Sequence, residues 1–128
     1  MVDILLWNEI FISENNQSES KLKTVISGVF GVRLEDIVII SEITLFSGQR
    51  KEVICEVSEG IEGFPTRLSF YVNDDLKPKN DIETVAIITE KLGCDCLIDD
   101  DIFEPLNPYS WLLFRDRKYG RIYYTNFD

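Results

Sequence analysis

Five carboxylates, Asp95, Asp99, Asp100, Asp101 and Glu104, fall within ten consecutive positions of this chain. Clustered carboxylate oxygens are what hard cations such as calcium and magnesium take as ligands. The spacing is not that of an EF-hand, because no D-x-[DN]-x-[DN]-G run is present. Adjacent side chains on an extended backbone also point in opposite directions, which keeps Asp99, Asp100 and Asp101 from converging on one ion. No metal and no cofactor is therefore expected. The favoured reading of the cluster is a solvated loop that ends a strand, followed by a docking surface for a basic partner, with a cation site the least favoured of three.

Catalytic chemistry is constrained more by what is missing. The chain has no histidine, so the commonest general base is absent and no Ser–His or Cys–His nucleophile can be built. Gly28, Gly31, Gly60 and Gly63 match neither a dinucleotide fingerprint nor a Walker A loop. Glu9, Glu42, Glu52 and Glu56 lie on expected strands and could serve as an acid–base pair, but nothing in the sequence sets two of them across a cleft. The expectation is a protein that is not an enzyme, with no catalytic residues. A carboxylate-based enzyme or small-molecule binder is the remote alternative.

Cys55, Cys94 and Cys96 are odd in number and lack a disulfide-framework spacing, and a C-x-C pair without histidine makes no zinc site. They read as buried, reduced thiols in a reducing cytosol. Arg115, Arg117, Lys118 and Arg121 alternate with Tyr119, Tyr123 and Tyr124, a composition found on single-strand nucleic-acid platforms. The whole chain opposes that use: 13 Lys plus Arg against 23 Asp plus Glu gives −10. Such a field disfavours nucleic acid and anionic membranes and steers basic proteins. The first twelve residues carry no basic leader and too short an apolar run to span a bilayer, so a cytoplasmic location is expected.

The elements that would position these residues can be read in order. Residues 4–12 are apolar on both faces, the pattern of a central strand. Asn16 and Glu19 have capping-box spacing, and Leu22, Val25, Ile26 and Val29 then mark one helical face up to Gly31. Strands are expected at 37–43, 51–58 and 65–72, the last two as a hairpin turning over 59–63. Asn80 and Glu83 repeat the cap spacing for a second helix buried through Ile82, Val85, Ala86, Ile88 and Leu92, which stops at Gly93. Short strands follow at 94–98, 109–115 and 121–127, with Trp7 and Trp111 expected in the core. The pattern βαβββαβββ predicts an α+β fold in one domain over 1–128. Two helices should pack on one face of a mainly antiparallel sheet, in a ferredoxin-like split βαβ plan with extra strands.

From Leu92-Gly93 through the aspartate run to Asn107-Pro108-Tyr109-Ser110-Trp111-Leu112-Leu113-Phe114, the chain resembles the C-terminal halves of small acidic bacterial immunity-type proteins. Those bind and neutralise a cognate toxin in interbacterial competition. The resemblance covers roughly the last third of the chain and implies a stoichiometric binding protein. Combined with the acidity, it leads to an expected partner-binding set of Asp99, Asp100, Asp101 and Glu104, with Tyr109 as an apolar anchor on a basic toxin domain. The protein itself would be a monomer or a homodimer. The competing reading is a homodimeric structural or accessory protein that pairs through an open sheet edge.

Overall fold

In the computed structural model the described residues are 4–15, 17–41, 51–100, 109–116 and 118–123. They form β1 (Ile4–Ile12), α1 (Glu19–Phe30), β2 (Ile37–Ile40), β3 (Val53–Ile61), β4 (Phe64–Asn73), α2 (Asp81–Leu92), β5 (Cys96–Asp99), β6 (Ser110–Arg115) and β7 (Lys118–Tyr123). The strands make one sheet in the order β2-β3-β4-β1-β5-β6-β7. The doubly apolar β1 lies at its centre, as its composition requires. Only β2 and β3 pair in parallel; the other neighbours are antiparallel.

Within that sheet β5-β1-β4-β3, together with α1 and α2, reproduces the ferredoxin-like split βαβ order. The segment β2 is an addition on one edge and the β6–β7 hairpin an addition on the other. Both helices pack on the same face of the sheet, α1 towards β2 and α2 towards β6, and touch each other. The core between helices and sheet holds Leu22, Val25, Ile26 and Phe30 of α1, Val85, Ile88 and Leu92 of α2, and Ile10, Leu68, Phe70 and Phe114 beneath them. No helix among the described residues is long and apolar enough to cross a membrane.

Local chemistry explains most boundaries. The Asn80 side chain accepts from the Glu83 amide at 3.0 Å, Lys91 lies in the last turn of α2, and Gly93 ends it at φ +73°. The cap of α1 is Ser18, whose hydroxyl accepts from the Lys21 amide at 3.1 Å, and not the expected Asn16, which lies outside the described residues. Also outside them are residues 42–43 of the second expected strand and 124–127 of the last. The third strand extends through Gly60 to Ile61, so its turn is confined to Glu62 and Gly63.

Gly60 is inside that strand for a steric reason. A Cβ there would fall on the Phe64 carbonyl oxygen, with the Pro65 carbonyl carbon and the Thr66 nitrogen both at 3.0 Å. All three are backbone atoms that cannot swing aside. Gly60→Ala is expected to destabilise the fold by about 2 kcal/mol or more, read from chemical denaturation. A change below about 0.5 kcal/mol would contradict this reading of the hairpin.

Candidate functional site: the open face of the sheet

Side chains alternate across a strand, so the register of β1 decides what each face of the sheet carries. The register shifts between Leu6 and Asn8, leaving Trp7 as an extra residue. Trp7, Ile10 and Ile12 thereby all join the core under the helices, and Glu9 and Phe11 are turned to the opposite face. It is called the open face because no helix among the described residues covers it, although Ser69 and Leu97 on it are buried. Pairing carries these rows outward. Glu9 lies opposite Ser69 on β4, which lies opposite Glu56 on β3. Phe11 lies opposite Arg67 on one side and Leu97 on the other, and Leu97 opposite Leu113.

Asp99 is two residues past Leu97 and shares its face, opposite Trp111, which in turn lies opposite Ile122. Since β1 and β5 run antiparallel, Asp99 falls on the Glu9 side of the Phe11–Leu97 pair. The open face thus carries a row of three carboxylates, Glu56, Glu9 and Asp99, bordered by Phe11, Trp111 and Leu113. The Phe11 and Trp111 rings meet edge-on, 5.6 Å apart at 78°. Both are half-buried. Trp111 is therefore a residue of the open face rather than the core position expected from its apolar run.

Electrostatics agree with the geometry. Arg67 reaches Glu9 at 3.5 Å and donates through Nε to the Ser58 hydroxyl at 3.0 Å, so a cation is built into the acidic row. Tyr71, also on this face, has its phenol pKa raised, first by burial and then by Glu56 and Glu9, with Arg67 opposing. The negative field extends to that side of the row.

The expected partner-binding set divides. Asp99 is exposed on the open face, and Tyr109, just before β6, is 49% exposed. Asp101 and Glu104 lie outside the described residues. Asp100 is a correction: it is 0% exposed and cannot touch a partner. It turns away from Asp99, accepts from the Ser110 hydroxyl at 2.7 Å and pairs with Arg121 Nε at 3.3 Å, tying β7 to the end of β5. The neighbouring Asp95 is held by Arg115, whose Nε and Nη2 donate to its carboxylate at 3.0 and 2.6 Å. With Arg115 and Arg121 thus engaged, the basic turn is not an open cationic platform. Among the described residues no group of three His, Cys, Asp or Glu side chains is arranged to hold a metal ion.

The sequence named Glu9 and Glu56 as strand carboxylates but could not bring them together. The available signal was local: Glu9 is the one charged residue of β1, and Glu56 alternates along β3. Comparison of the chain with protein-family models, curated protein sequences and solved structures finds no match.

The two adjacent aspartates should behave differently. Asp100→Ala removes the buried carboxylate that the Ser110 hydroxyl and Arg121 engage and is expected to cost about 1–3 kcal/mol, reduced from the fully buried case because Arg121 is partly in water. Asp99→Ala should cost less than about 1 kcal/mol. Denaturation midpoints of the two variants measure this, and equal losses would contradict the assignment.

Proposed function

We propose that this chain is a stoichiometric, cytoplasmic protein-binding module of the immunity type, which covers and neutralises a basic toxin domain with the open face of its sheet. The observation that carries the reading is the row Glu56, Glu9 and Asp99 beside the Phe11–Trp111 pair. Partly covered aromatics bordered by a mainly acidic row match the anatomy of a protein interface, where rings supply affinity and charges supply orientation. The net charge of −10 supports it further, since a field of that sign attracts cationic surfaces over distances longer than any contact. The module would act by occlusion and needs no catalytic group of its own.

Its parts have separate kinetic signatures. Rim carboxylates act mainly on encounter, whereas a desolvated ring acts on residence time. Tyr109, exposed beside the start of β6, adds an aromatic contact at the margin.

The test begins with retention of partners from source-cell extract on immobilised protein, followed by elution with salt. A single basic protein is expected in the salt eluate. With that protein in hand, Glu56→Lys/Asp99→Lys should slow association by about tenfold and flatten its dependence on salt. Stopped-flow rates measure both, with thermal midpoints verifying that the variant folds. Recovery of this chain alone would favour self-association through a sheet edge, and an unchanged on-rate in a folded variant would contradict the acidic docking face.

A further inference from the structure

Away from the open face, the chain leaves α2 at Gly93 and enters β5 at Cys96. In that short passage lie two of the three cysteines, all of them free thiols. Cys96 Sγ is 3.9 Å from the Cys94 carbonyl oxygen. A fully extended chain would set residues two apart at about 7 Å, the outer limit for a disulfide. Cys94 lies in the bend before β5 rather than in the strand, so the pair is not held at the fully extended separation by sheet pairing.

Access differs sharply between the two. Cys94 is half-buried, contrary to the expectation of a buried thiol, and lines a cleft of about 460 Å³ with Thr89, Glu90, Asp95 and Asp116. Cys96 is fully buried against Thr89 in the core. The pull between the two thiols lowers the pKa of Cys94 and raises that of Cys96, whose burial adds to the rise. Lys21 favours the Cys94 thiolate, while its burial and Glu14 oppose it, and the Gln17 amide nitrogen is 4.0 Å from its sulfur. The accessible sulfur is thus the one that ionises first, with a second sulfur held behind it. Cys55, on β3, has no such neighbour: burial, then Glu56, pushes its thiol up to about 12.

We propose that Cys94 and Cys96 form a thiol–disulfide exchange site for small cationic or neutral disulfides, with Cys94 attacking from the cleft and Cys96 resolving from the core. The Cys94 thiolate attacks one sulfur of the incoming disulfide; the S–S bond breaks, and the departing thiolate takes up a proton. The Cys96 thiol then gives up its proton and attacks the Cys94 sulfur, expelling the second half of the reagent as a thiol. The protein loses two electrons and two hydrogens, and the small disulfide becomes two thiols. Glu90 and Asp116 on the cleft wall set the charge preference, since an anionic disulfide must approach against them.

Cystamine, a dication, is the probe, with dithiodiglycolate as its dianionic counterpart, and intact mass with peptide mapping is the readout. The wild-type protein should lose two hydrogens and carry a Cys94–Cys96 disulfide, with Cys55 unmodified. Cys96→Ser should stop at a mixed disulfide on Cys94, and Cys94→Ser should leave the native protein unreacted. Cystamine should react about tenfold faster than the dianion. A lasting mixed disulfide on wild-type Cys94, modification of Cys55 at the same rate, or no reaction at Cys94 would each overturn the proposal. Because the cleft and the open face are separate, this outcome is independent of whether a basic partner is found.

Discussion

One extra residue in the central strand, Trp7, fixes which side chains the sheet shows to each side. A strict alternation would set Trp7 on the same face as Glu9 and Phe11. The bulge takes up one position, and the indole enters the core instead. There it meets Phe30 of α1 and Phe70 of β4 edge-on at 5.6 and 6.0 Å, and its Nε1 donates to Asp81 at the start of α2 at 3.0 Å. A single side chain thus joins the middle strand to both helices. Its hydrogen bond satisfies the one polar atom that burial would otherwise strand. A slip of one residue would reverse every position of β1, so this register also fixes the acidic row.

A second constraint is size. Seven strands have six spacings of ~4.8 Å, a width of about 29 Å, whereas two helices side by side cover about 20 Å. On the helix side, β7 projects past α2, which leaves the stacked Tyr119 exposed beside Ile82, Ala86 and Ile87. On the open side, no helix of the described residues covers the sheet. The carboxylates there repel one another weakly: Glu56 and Glu9 are two strand spacings apart, where their repulsion in water is only about 0.4 kcal/mol. Arg67 offsets part of it. The row costs little in stability and still leaves carboxylates in excess of the one arginine among them.

Features set by neighbouring residues were legible in the sequence. The cap at Asn80, the stop at Gly93, the amphipathic stripes of both helices and the central position of β1 all follow from side chains a few positions apart. What depended on distant pairing was not. No local pattern distinguishes Asp99 from Asp100, yet one faces solvent and the other is buried because Ser110 and Arg121 arrive from β6 and β7. Trp111 reads as core from its run and becomes an open-face residue through the register of β5 and β6. Ser18 displaced Asn16 as a cap because several polar residues in that loop have the required chemistry, and chain geometry selects among them. Gly60 resembled a turn residue by composition, whereas its role is the close approach of the β4 backbone.

The most direct measurement on the open face is carboxylate footprinting of the protein, alone and saturated with the salt-eluted partner, by carbodiimide labelling and peptide mapping. With the partner docked on the open face, Glu9, Glu56 and Asp99 become protected together, while Glu19 of α1 and Glu83 of α2, on the opposite side, label as before. Protection confined to the helices, with the three open-face carboxylates unchanged, would contradict docking on that face.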